Sequence, residues 1–102
     1  MGIEWRNSAH GKKVLHIVGP FGFSCHREFM GQIKKHSAGP DGQHFDVDLS
    51  GVTSLDSAAL GMLLILHDWQ KAKGSPVALR NCSKAAKENL YLANLHKHFS
   101  ID

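Results

Sequence analysis

Branched apolar residues gather first at Lys13-Val14-Leu15-His16-Ile17-Val18 and stop at Gly19-Pro20, a pattern that predicts a strand ended by a turn. From Ser24 to about His36, Phe29, Met30 and Ile33 recur among polar residues at helical spacing, with Ser24 placed to cap the helix. Gly39-Pro40-Asp41-Gly42 has the composition of a turn. After it, Phe45, Val47 and Leu49 alternate with Asp46 and Asp48, the period of a half-buried strand. The clearest helix follows. Asp56 is a favoured N-cap and Gly74 a favoured stop, so both ends of a helix over Ser57 to Lys73 are signalled. Pro76 to Arg80 reads as another strand, and Ser83 caps a helix running to about Asn94, with Ala86 and Leu90 four apart. The tail His98-Phe99-Ser100-Ile101 alternates and is a candidate short strand. Strands and helices alternate along the chain, so the expected class is α/β, with parallel pairing across helical crossovers.

A chain of 102 residues has room for one domain. At 42% hydrophobic and 21% charged residues, its balance is that of a globular protein and not of a disordered one. The net charge is +3, and the lysines (Lys12-Lys13, Lys34-Lys35, Lys71, Lys73, Lys84, Lys87, Lys97) are scattered without interleaved aromatics, so no nucleic-acid partner is expected. The apolar run Ala58 to Leu66 is about half of what a bilayer crossing needs, and Met1-Gly2-Ile3-Glu4-Trp5-Arg6 lacks the apolar core of a signal peptide. Cys25 and Cys82 form neither a disulfide framework nor a CxxC pair. The expectation is a cytoplasmic protein of a reducing compartment, without membrane insertion.

Candidate chemistry centres on Ser57. It follows the Asp56 cap, at the first helical position, where backbone N–H groups are open and the helix dipole is positive. A phosphate on its hydroxyl would meet those N–H groups, with Asp56 next door opposing it. From spacing alone, a serine there is more often a plain first-turn residue. His96-Lys97-His98 and Cys25-His26 do not supply the three or four converging donors of a metal site, so no metal or cofactor is expected. Leu55 and Asp56 do not give Ser57 the Gly-x-Ser-x-Gly frame of a serine hydrolase, and no base is identifiable; no catalytic residue is assigned.

The run Asp48-Leu49-Ser50-Gly51-Val52-Thr53-Ser54-Leu55-Asp56-Ser57-Ala58-Ala59-Leu60-Gly61 resembles the signature of the STAS family, the domain of anti-sigma factor antagonists and sulfate transporter tails. Family members read as an apolar strand, a short loop and then Asp-Ser-Ser-Gly-Leu-Gly opening a helix; here the motif positions are Asp56, Ser57, Leu60 and Gly61. The order of elements agrees as well, including a Gly-rich turn at Gly19-Pro20-Phe21-Gly22, and the likeness runs from about Lys13 to Ile101. It implies a single STAS domain over residues 1–102, a small mixed β-sheet packed with α-helices. It also implies a binding regulator and not an enzyme. In such antagonists the serine after the motif aspartate, here Ser57, is phosphorylated by a partner that is both anti-sigma factor and serine kinase. Phosphorylation abolishes binding, and a metal-dependent 2C-type serine phosphatase restores it. Two departures stand out. Ala58-Ala59 replaces the usual Ser-Gly and leaves Ser57 as the motif hydroxyl, and the turn at Gly19 to Gly22 lacks the usual acidic residues, which bears on kinase contacts there. The alternative is a STAS subunit of a transporter-associated or stress-signalling assembly that works without phosphorylation.

At 100° per residue, Leu60, Leu63, Leu64 and His67 share one side of the central helix, while Met62, Ile65, Leu66 and Trp69 fall on the other. The family pattern implies that Leu60, Leu63 and Leu64 face the sheet. Ala58, Met62, Ile65 and Trp69 are then expected to form an exposed partner-binding stripe beside Ser57, with Leu66 covered by the last helix.

Overall fold

The structure is a computed structural model and describes residues 2–7, 13–37 and 44–102. The turn expected at Gly39-Pro40-Asp41-Gly42 lies outside them. Four strands form one sheet in the order β1-β2-β3-β4: β1 Gly2–Asn7, β2 Lys13–Phe21, β3 Phe45–Leu55 and β4 Leu79–Arg80. β1 runs antiparallel to β2, and β2–β3 and β3–β4 are parallel, so the sheet is mixed. The helices are α1 His26–Ser37, α2 Ser57–Ala72 and α3 Lys84–Leu92, with 3-10 turns at Phe23–Cys25 and Leu95–Lys97. Both crossovers, β2–α1–β3 and β3–α2–β4, step across the sheet in the same direction. Right-handed connections therefore put α1 and α2 on one face, where they touch.

Alternation along the strands divides the two faces. Ile3, Leu15, Ile17, Phe45, Val47, Leu49 and Leu79 are buried and join Phe29 and Ile33 of α1, Leu63 and Leu66 of α2, and Ala86 and Leu90 of α3 in a single core. On the other face Glu4, His16, Asp48 and Arg80 stand in one register row across all four strands. His16 Nδ1 lies 3.5 Å from Asp48 Oδ1, and Asp46 is buried beneath Arg80, whose Nε is 3.3 Å from Asp46 Oδ2.

Several elements differ from the sequence expectations. β1 has no counterpart among them; Ile3 and Trp5 alternate with Glu4 and Arg6, and the Trp5 indole stacks on His36 at 4.6 Å and donates to Gln32 Oε1 at 3.0 Å. β2 does not stop at Gly19-Pro20. Its pairing with β1 ends at Val18, so Pro20 needs no donor on that side and the strand continues against β3 to Phe21. Ser24 does not cap α1 but lies within the 3-10 turn that precedes it. β3 runs on to Leu55 through a bulge: His16 pairs with Asp48 and Val18 with Gly51, two steps on one strand against three on the other. A Cβ on Gly51 would meet Val18 Cγ2 at 2.9 Å, so the glycine permits this close approach.

Of the stretch Pro76 to Arg80, only Leu79 and Arg80 are strand. The helix ends largely follow their local chemistry. Ser83 caps α3, accepting from Ala86 N at 3.1 Å while donating to Val52 O at 2.7 Å, and α3 ends at Leu92 before the left-handed Asn94. The tail makes a single parallel bridge, Ile101 to Leu79, beyond the second 3-10 turn. Among the described residues no helix is long and apolar enough to cross a membrane.

Candidate functional site

β2 and β3 are parallel neighbours, so their C-terminal ends emerge side by side, and the turn after Phe21 meets the start of α2. Asp56 takes the extended backbone of an N-cap and its Oδ1 accepts from Ala59 N at 2.9 Å, in keeping with its place before the helix. Its other oxygen, Oδ2, accepts from Phe23 N at 3.2 Å. The Asp56 backbone N–H also donates to Phe21 O at 3.3 Å. One carboxylate thus joins the first turn of α2 to the turn that leads into α1. These N–H groups, Ala59 first and Phe23 second, hold the Asp56 carboxyl below the usual carboxylate range against the small upward push of burial.

Gly22 makes this joint possible. A Cβ there would lie 2.2 Å from Asp56 Oδ2 and 2.7 Å from Cγ. The backbone of Gly22 is extended (φ −164°), a conformation open to any residue, so space and not torsion accounts for the glycine. Sequence reasoning places Gly22 in a turn but gives it no such role; only the approach of Asp56, just beyond the end of β3, reveals it.

Ser57 is exposed at the first position of α2, and Gly61, one turn on, is exposed with open space over its Cα. Ala58 is half-buried. The expected division of α2 into faces is corrected in part. The buried side is Ala59, Met62, Leu63, Leu66 and Gln70; Met62 is 2% exposed, inside the core and not on the partner stripe. Leu60 and Leu64, expected against the sheet, are half-buried at its margin, as is Trp69, which packs on the core and is no open platform. Only Ile65 of the three large side chains in that stripe is exposed, at 41%. The cause lies in the sequence of the helix: Ala58 to Leu66 is apolar all round, so no polar residue marks its outer side, and Gln70 then sits on the inner one.

The most exposed aromatic beside the site is one that sequence reasoning does not single out. Phe23 is 76% exposed, stacks loosely on His26 at 6.4 Å, and is tied by its backbone to Asp56. Cys25 and Cys82 are free thiols. Among the described residues no three His, Cys, Asp or Glu side chains converge as metal ligands do.

Comparison with known proteins bears on this arrangement. The family model described as Mlab, STAS domain, matches residues 5–101. A STAS-domain containing protein of Pseudomonas aeruginosa (strain UCBPP-PA14) is 34% identical over 102 residues, 99% of each chain. Among solved structures, a proposed anti-sigma factor antagonist from Thermotoga maritima superposes with a TM-score of 0.84 at 18% identity, over 97% of this chain and 84% of that one. A form of Moorella thermoacetica RsbS in which glutamate replaces a serine gives 0.76 at 14% identity, over 98% and 85%. The unphosphorylated anti-sigma factor antagonist SpoIIAA gives 0.72 at 13% identity, over 99% and 88%. At these identities the structural likeness is one of fold.

Proposed function

The chain belongs to the STAS domain family, and we propose that within it this protein is an anti-sigma factor antagonist switched by phosphorylation of Ser57. Unphosphorylated, it binds an anti-sigma factor that is also a serine kinase and so frees a sigma factor; a 2C-type serine phosphatase reverses the modification. On this reading the protein acts in the cytoplasm as a substrate and binding partner and catalyses nothing itself.

The observation that carries the proposal is the placement of Ser57, an exposed hydroxyl at the start of an aspartate-capped helix. Phosphoryl transfer from a nucleoside triphosphate would form a bond from Ser57 Oγ to the γ-phosphorus, break the bond to the nucleoside diphosphate, and release the hydroxyl proton. The product carries about 1.5 to 2 negative charges at a spot a protein partner must desolvate. Apolar neighbours support a protein partner: Phe23 and Ile65 are exposed, and Ala58 and Gly61 present little side chain, so a partner backbone can come close. Trp69 contributes its half-exposed edge to this surface, and Met62 is withdrawn from it.

Intact-mass measurement with fragment mapping on protein from its own cells tests the reading. A phosphorylated fraction located at Ser57 is expected. Absence of that modification across growth conditions would favour a fixed, non-phosphorylated STAS subunit in a larger assembly. With the anti-sigma kinase in hand, Ser57→Ala should bind and Ser57→Asp should bind more weakly; equal affinities would refute the charge argument.

A further inference from the structure

The Asp56 carboxylate holds two segments at once, Ala59 N on its own helix and Phe23 N, 33 positions earlier in the chain. Resting on the reading of Ser57 as a phosphoacceptor, we propose that Asp56 is a positioning residue, seated by Gly22, that couples the phosphorylation state of Ser57 to the placement of the Phe23 turn.

The coupling follows from competition between anions. A phosphate on Ser57 sits beside a carboxylate that is already charged, and both are attracted to the same open N–H groups at the start of α2. Ala59 N–H is one of these donors and is held by Asp56 Oδ1. Repulsion between the two anions, together with loss of that donor, turns the carboxylate away from the helix. Because the group is planar and rigid, its other oxygen leaves Phe23 N at the same time. Phe23 is 76% exposed, so burial does little to hold it; its turn keeps the Cys25 N to Gly22 O bond at 3.0 Å and the Asp56 N to Phe21 O bond at 3.3 Å, but Phe23 N itself loses its acceptor. The exposed ring is then displaced from the surface that it shares with Ser57. Phosphorylation in this scheme alters the surface in two places, adding charge at Ser57 and moving an apolar group at Phe23.

Gly22 gives the proposal a handle away from Ser57. Gly22→Ala suits the backbone but drives the new Cβ into the carboxylate, so it should break the joint with no phosphate present.

The test uses the full chain labelled with nitrogen-15, with phosphoserine encoded at position 57 so that no kinase is needed. In the unmodified protein, the Phe23 and Ala59 amide resonances should titrate together, with one midpoint below the ordinary carboxylate value, and neither should titrate in Asp56→Asn. Encoded phosphoserine should speed exchange of the Phe23 amide at least about tenfold, the low end of what one lost hydrogen bond to a charged group implies, and leave amides in the middle of α3 unchanged. Gly22→Ala should speed Phe23 exchange in the same way. If that variant does not fold, Asp56→Asn and the phosphorylated protein decide the matter between them. A Phe23 amide indifferent to the titration of Asp56, or to the phosphate, overturns the coupling. Either result leaves the identity of the phosphoacceptor to mass mapping, so the two ideas fail separately.

Discussion

Truncation of Met62 to alanine, set against the same change at Ile65, is the sharpest test of how α2 is rotated. The two residues are less than one turn apart, yet Met62 is 2% exposed within the core and Ile65 is 41% exposed. Removing a buried methionine side chain costs about 2 to 5 kcal/mol, the sum of lost transfer energy and the cavity left behind. Met62 lies beside the fully buried Leu63 and Leu66, on a helix pressed against a sheet, so little collapse into the gap is expected and about 3 kcal/mol is a reasonable value. A domain of this length has a total stability of about 5 to 15 kcal/mol. The change therefore removes a large share and should lower the melting temperature by about 10 to 20 °C. Ile65→Ala loses only part of a half-exposed side chain and gains helix propensity, so its net cost should stay below about 1 kcal/mol. Urea unfolding of the three proteins, read by circular dichroism with the slopes compared, measures both. Equal midpoints, or a larger loss at Ile65, would mean that Met62 faces outward after all and that the helix is rotated away from the setting described above.

Three further outcomes can be checked with purified protein. Gly51→Ala forces a Cβ to within 2.9 Å of Val18 Cγ2 and should cost about 1 to 3 kcal/mol; adding the cheap, exposed change Val18→Ala should recover much of it, and strict additivity in the cycle would contradict the clash. Burial pushes the Asp48 carboxyl up, but the bonds from Ser50 and Asn81 and the charge of His16 outweigh it, so the group is held below its ordinary value of 3.8. Its stabilisation is present above that value and is lost as pH falls through the lower folded pKa; Asp48→Asn should flatten the stability profile below about pH 4, and an unchanged slope there would refute the assignment. Burial pushes the Cys82 thiol up to about 11, leaving roughly one part in a thousand as thiolate at pH 8, so Ellman's reagent should react slowly until urea unfolds the chain; rapid labelling of the native protein would count against it.

How far the sequence reveals the molecule depends on the range of the chemistry involved. Asp56, Ser83 and Gly74 mark helix ends through contacts within a few residues, and each is readable. β1 escapes notice because an edge strand with only Ile3 and Trp5 facing inward carries a short signal. The strand expected from Pro76 shrinks because Ala78 N donates to the Asp46 carboxylate at 3.1 Å and not to the backbone of β3, although Ala78 O still accepts from Val47 N of β3 at 3.0 Å. No local pattern announces that exchange. The faces of α2 are ambiguous because its first half lacks polar residues beyond Ser57. At the site, Asp56 and Ser57 are legible as neighbours in the chain, whereas Gly22 and Phe23 join them only through the pairing of β2 with β3.

That pairing also decides where the surface around Ser57 can exist at all. Its two halves come from segments separated by the whole of α1, brought together by a parallel register that a short peptide cannot reproduce. Closing so long a loop costs entropy, which is recovered only when the non-local strands dock. A linear peptide spanning Ser57 would carry the motif without its companion turn, and an antibody raised against it would recognise a different object from the folded epitope. On the proposed reading, a kinase that recognised both halves would act on folded chains in preference to nascent or damaged ones.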